Sequence, residues 1–119
     1  VRSETENMVL DLLVSILPES LPVRTQLLPN YPNPFNPETW IPYQLGSSAQ
    51  VVIKIYDASG HLVRRINVGL QAAGDYTSRG KSVYWDGRNE FGEQAASGIY
   101  YYTIEAGDYS AISKMLLLK

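Results

Sequence analysis

The densest run of potential ligand atoms in this chain is Asp86-Gly87-Arg88-Asn89-Glu90-Phe91-Gly92-Glu93, where carboxylate and amide oxygens recur around two glycines. Such a loop could in principle wrap a calcium ion, which is held by oxygen ligands alone. It lacks the acidic residue at the third position and the glutamate at the twelfth that an EF-hand uses. The competing reading makes Asp86 and Asn89 turn residues bonded to local backbone, with the glycines supplying the backbone angles. His61 is the one histidine and sits beside Gly60. No further imidazole or thiolate accompanies it, and no serine or cysteine is spaced as a nucleophile for it to activate. It is expected to be a solvent-exposed turn residue. The acids are scattered through turns and the N-terminal segment, which does not suggest a paired-carboxylate hydrolase. No catalytic residue, metal ligand or cofactor site is therefore assigned.

Two other stretches could do binding chemistry. Tyr100-Tyr101-Tyr102 and Tyr109, with Tyr84 and Trp85, are expected to put rings on both faces of one region. Such rings could stack on sugars, or they could bury ring area at the margin of a core while the hydroxyls stay wet. The chain end, Lys114-Met115-Leu116-Leu117-Leu118-Lys119, is apolar on both faces of a strand, whereas an edge strand is normally blunted by charge. It is either a last strand buried between neighbours or an edge offered to a partner by strand addition.

The elements that must position these residues are strands. Tyr31-Pro32-Asn33-Pro34-Phe35-Asn36-Pro37 excludes helix, because each proline fixes its own φ and pushes the residue before it out of the α region. This proline ramp presents Phe35 as a plug for one end of a core. Thr39 to Leu45 then alternates, and Gly46-Ser47-Ser48 turns the chain into a strand from Gln50 to Tyr56, with Val51, Ile53 and Ile55 facing the core. Asp57-Ala58-Ser59-Gly60 reads as a tight turn, with Gly60 at positive φ, returning the chain from His61 to Val68. Gly69 to Lys81 is expected to be a loop crossing between sheets. Strands follow at Ser82 to Asp86, which carries Trp85, at Gly98 to Glu105, and at Tyr109 to Leu118. Six to seven short strands with regular turn signals predict an all-β, antiparallel sandwich.

Ahead of the ramp, Ser3-Glu4-Thr5-Glu6 offers a capping box, and Met8, Val9, Leu12, Leu13, Ile16 and Leu17 form one apolar stripe that Pro18 ends. A short amphipathic helix is expected, with Pro18 to Thr25 as linker. The stripe is the tail of an upstream region, packs on the sandwich, or pairs with a second copy. Residues 1–26 are thus set apart from a domain at 27–119.

Composition narrows the function further. A chain of 119 residues suits one domain with a short appendage. Its formal charge of −2, from ten basic and twelve acidic residues, gives no footprint for nucleic acid. Without cysteine there is no disulfide or thiolate metal site. No apolar run approaches the roughly 20 residues that span a bilayer, and no leader opens the chain, so it is expected to be a piece of a longer precursor.

The ramp and the lysine-bounded end, together with Asp57-Ala58-Ser59-Gly60-His61-Leu62-Val63-Arg64, Tyr84-Trp85-Asp86-Gly87-Arg88-Asn89 and Ser97-Gly98-Ile99-Tyr100-Tyr101-Tyr102, closely resemble the C-terminal sorting domain, type A, of type IX secretion substrates. The likeness covers about residues 27 to 119. The middle motifs are shared with the Ig-like domain of flagellar hook-capping proteins, so they speak to fold, while the two ends speak to sorting. The resemblance implies a non-catalytic module on an Ig-like sandwich that addresses an upstream cargo for export to the outer surface of a Gram-negative-type bacterium. It also implies that the secretion machinery reads Lys114 to Lys119, and that any cleavage falls within Pro18 to Leu28. Tyr31, Asn33, Pro34, Phe35, Asn36, Pro37, Gly60, Trp85, Asp86, Gly87, Gly98 and Tyr100 are its structural positions. The other readings are an Ig-like spacer or interaction module of an extracellular protein, and a weak carbohydrate binder.

Overall fold

The computed structural model describes residues 24–119. The expected N-terminal helix, and most of the linker after it, lie outside the described residues. Nine strands follow in order: β1 (Gln26–Leu27), β2 (Thr39–Ile41), β3 (Tyr43–Leu45), β4 (Ala49–Asp57), β5 (Leu62–Gln71), β6 (Gly74–Tyr76), β7 (Val83–Trp85), β8 (Gly98–Ala106) and β9 (Tyr109–Leu117). Every ladder between them is antiparallel.

The count exceeds the six or seven expected for three local reasons. Pro42 has no N–H to give and splits the Thr39 to Leu45 strand into β2 and β3, although its carbonyl still accepts the Leu28 N–H at 3.1 Å. The chain is already paired at β1, ahead of the ramp. The stretch from Gly69 to Lys81 does cross between layers, yet it is not all loop: it completes β5 and forms β6, which pairs with β3. One layer therefore holds β1, β2/β3 and β6 with β7. The other is a four-stranded sheet in the order β5-β4-β8-β9.

Alternation fills the space between the layers. Val51, Ile53 and Ile55 of β4 are fully buried, as their period of two requires, and face inward with Tyr100, Tyr102 and Ile104 of β8. The opposite layer contributes Ile41, Tyr43, Leu45, Val83 and Trp85 to the same core. Phe35 is buried as expected, with its ring 5.6 Å from that of Trp85, which in turn meets Tyr100 edge-on at 5.7 Å. The turn after β4 also forms as read. Asp57 Oδ1 accepts the N–H groups of Ser59 and His61, the Gly60 N–H reaches the Asp57 carbonyl at 3.0 Å, and Gly60 takes a φ of 86°.

One buried hydroxyl ties the start of the domain to its centre. Tyr102 Oη accepts the Asn30 N–H and donates to the Leu28 carbonyl, both at 2.9 Å, across more than 70 residues of chain. The Asn30 side chain, also buried, donates to Thr39 Oγ1, which donates to the Pro32 carbonyl. Removing only the hydroxyl, by Tyr102→Phe, leaves the Asn30 N–H unsatisfied in the interior. The expected cost is about 2 kcal/mol, with a melting temperature lower by roughly 10 °C. Thermal unfolding followed by circular dichroism measures it, and an unchanged midpoint would show that this pin carries no stability.

Candidate functional site: the C-terminal edge and its strap

Strand β9 lies at an edge of the four-stranded sheet and is paired on one side with β8. Its two faces have separate fates. Met115 and Leu117 point inward and are 1% and 0% exposed, so two of the six candidate partner-binding residues belong to the core. Leu116 lies on the outer face opposite Ile99, and Lys114 opposite Tyr101. Leu118 and Lys119 follow the strand and are exposed. The candidate row thus reduces to Lys114, Leu116, Leu118 and Lys119. A deletion of Lys114 to Lys119 would remove the core residues Met115 and Leu117 along with this outward row.

The ramp straps this end. Phe35 donates its N–H to the Leu116 carbonyl at 2.9 Å and accepts the Leu118 N–H at 3.0 Å, making a parallel bridge beside Leu117. Asn33 Oδ1 accepts the Leu116 N–H at 3.0 Å. Beyond it, Ser97 Oγ accepts the Lys119 N–H at 3.1 Å. Asn33 and Phe35 act directly on the chain end, whereas Pro34, Asn36 and Pro37 are exposed and shape the path. The Tyr31–Pro32, Asn33–Pro34 and Asn36–Pro37 peptide bonds are cis. Tyr31 pairs with Trp40, and its hydroxyl donates to the Thr77 carbonyl at 2.6 Å. The two ends of the domain, read in sequence as separate motifs, are one unit in space.

The oxygen-rich loop does comparable work at the opposite edge. Asp86 Oδ1 accepts the Arg88 N–H, and Asn89 Oδ1 accepts those of Phe91 and Glu93, so these oxygens close turns. The Arg64 guanidinium sits against Asp86 Oδ1 at 3.3 Å and the Arg88 carbonyl at 3.1 Å, setting a positive charge against these loop oxygens. Glu90 covers β5, its N–H reaching the Val63 carbonyl and its carboxylate accepting the Arg65 N–H. Among the described residues, no three acidic or imidazole groups converge as a metal site. Trp85 Nε1 donates to the Arg88 carbonyl at 2.9 Å and joins this loop to the core. Gly98 opens β8 opposite Leu117. His61 is exposed, its Nδ1 3.5 Å from Asp57 Oδ2.

The expected rings on both faces form along β8, with Trp85 packed against Tyr100, but Tyr84 stands apart from them. Tyr100, Tyr102 and Trp85 are interior, Tyr101 lies on the outer face of β8, and Tyr84 belongs to the other layer. A different aromatic row forms there. Trp40 packs between Tyr31, at 6.4 Å, and Tyr84, at 5.4 Å, with the Arg79 guanidinium 4.3 Å from its ring centre. Neither Trp40 nor Arg79 was singled out in the sequence, because only the pairing of β2 with β7 brings Trp40 beside Tyr84. An outward parity at Trp40 was the one available signal.

Burial sets a pH limit. It pushes the Tyr43 phenol up to about 12, assisted by Tyr76 stacked 4.8 Å away, and raises Tyr100 and Tyr102. In the unfolded chain these groups ionise near pH 10. Their contribution is therefore complete below pH ~10 and is lost as pH rises, because the unfolded state then sheds protons the folded state keeps. The melting temperature should hold between pH 7 and 9 and fall above about 10, at up to about 1.4 kcal/mol per pH unit for each such tyrosine. Melting curves read beside phenolate absorbance test this; a midpoint that is flat beyond pH 11 would contradict it.

The FlgD Ig-like domain family matches residues 36–110. The chain belongs to the FlgD Ig-like domain family. No curated protein matches it. Among solved structures, dimeric latent PorU from Porphyromonas gingivalis is similar at 22% identity and a TM-score of 0.56, over 79% of this chain and 9% of PorU. PorZ from the same organism, described as an essential bacterial surface component of the type-IX secretion system, is similar at 20% identity and a TM-score of 0.53, over 78% of this chain and 11% of PorZ. The chain thus spans about a tenth of either protein, and the likeness establishes the Ig-like fold. The FlgD-type match takes in the DASG turn, the Trp85 loop and the β8 tyrosines. It leaves out Tyr31 to Phe35 and Ala111 to Lys119, the two pieces that the strap joins. Among the described residues of this FlgD-family domain, no helix is long and apolar enough to cross a membrane.

Proposed function

We propose that this chain is a non-catalytic sorting and anchoring module that directs an upstream cargo through a type IX secretion system to the cell surface. The observation that carries the proposal is the strap: Asn33 and Phe35 of the ramp and Leu116 and Leu118 of the chain end, all outside the FlgD-type match, are hydrogen-bonded to each other. Two segments that the shared family pattern does not include are therefore built as one feature. The fold shared with PorZ, a surface component of a type IX system, supports the same reading. Lys114, Leu116, Leu118 and Lys119 are the residues offered to the machinery. Any cut that releases the module falls upstream of β1, since Gln26 and Leu27 are already paired with β3.

A fluorescent cargo fused ahead of residues 1–119 tests the proposal in a host with type IX machinery and in the same host lacking it. Surface or medium fluorescence is expected only in the first. Export that is equal in both hosts, or absent from both, would favour an Ig-like spacer instead.

A further inference from the structure

We infer that β9 is also a self-association edge, pairing antiparallel with β9 of a second copy about a two-fold axis at Ile112. Bonding of the Leu116 main chain to Phe35 and Asn33, on the side away from β8, fixes the parity of the strand. The main chains of Ser110, Ile112 and Lys114 then point outward too, and none has a partner among the described residues. This open window is bracketed by the strapped Leu116 at one end and the Gly107–Asp108 turn at the other. It is not blunted as edges usually are, carrying Lys114 alone, while Ile112 is 65% exposed.

The bracket dictates both occupant and register. Centring the axis on Ile112 pairs Ile112 with its own copy and Ser110 with Lys114 of the second copy, so each of these pairs exchanges two main-chain bonds. A shift by one such pair, in either direction, sets an outward residue against the strapped Leu116 or the turn. Charge agrees with this register. Lys114 faces the small Ser110 of the second copy, and the next residue in that row is Glu105, which is in register with Ser110. Strands about 4.8 Å apart put Lys114 and that Glu105 about 10 Å apart at the backbone, within reach of two long side chains leaning across a serine. Glu105 is half exposed and bonded on its far side to Lys54 at 3.1 Å, so the row alternates in sign. No like charges meet, and the exposed Ile112 side chains cover each other.

Sedimentation velocity on the full chain, from about 10 μM to about 1 mM, should show the mass rising from one chain toward two, as a small interface predicts. Ser110→Lys places a lysine opposite Lys114 of the other copy and should weaken association at least tenfold, with the melting temperature unchanged because Ser110 is exposed. Adding Lys114→Glu should restore it to within a few-fold. Amide exchange in the unaltered chain should slow at Ser110, Ile112 and Lys114 as concentration rises. A single-chain mass throughout would overturn the inference. So would association indifferent to Ser110→Lys, which would assign it to residues 1–23 or another face, and so would failure of the double variant to recover. None of these outcomes depends on export, so this inference and the sorting proposal fail separately.

Discussion

Phe35→Ala is expected to cost about 4 kcal/mol of unfolding free energy and to lower the melting temperature by roughly 20 °C. The ring is 2% exposed, lies against Trp85 and closes the end of the core at which β9 finishes. Alanine retains the N–H and carbonyl that bind Leu116 and Leu118, so the loss starts as a cavity. It grows because a ramp without its plug no longer holds those groups in place. Phe35→Leu, which keeps most of the volume, should cost far less, about 1.5 kcal/mol or below. Chemical denaturation of the two variants separates these effects. A loss below 1 kcal/mol for the alanine variant would mean that Phe35 is not a plug.

Gly87→Ala should be nearly as damaging, for a different reason. Gly87 is buried with a φ of +77°, and a Cβ there would stand 2.3 Å from the Pro37 carbonyl oxygen. The obstacle is backbone, so no side chain can rotate away. The left-handed conformation alone costs an alanine about 1–2 kcal/mol, and relieving the clash requires the Asp86 loop or the ramp to move. A total of about 3 kcal/mol follows, comparable with other severe single changes. Gly92→Ala is the control: its φ is similar, at +80°, but nothing stands within 4 Å of a Cβ. It should lose only the conformational part. Equal melting temperatures for the two variants would show that the approach of Gly87 to Pro37 is unimportant.

The contrast between these glycines illustrates what was legible in the sequence. Features set by neighbouring residues were read correctly: the inward Val51, Ile53 and Ile55, the Asp57 to Gly60 turn and the buried Phe35. Local hydrogen bonds at Asp86 and Asn89 also formed as turn chemistry requires. What depended on pairing order was not legible. Arg64 reaches the Asp86 loop from 22 residues away, and no spacing rule connects them. Three consecutive tyrosines had to alternate across β8, and Trp85 joins them at Tyr100, but Tyr84 points away in the other layer and packs on Trp40 instead. The apolar end could not reveal whether its strand was central or peripheral, since leucines on both faces suit either place. The strand proved to be an edge, with the ramp laid along its final residues.

That arrangement puts folding and the proposed recognition on opposite faces of one strand, and the most direct measurement compares them. Cargo export and melting temperature would be recorded together for Leu116→Ser with Leu118→Ser, which alter the outward row, and for Met115→Ala, which alters the core. Sorting by the outward row predicts that the first variant loses export while keeping its melting temperature to within a few degrees, and that the second is destabilised by about 3 kcal/mol. Unimpaired export of the folded double-serine variant would contradict the account.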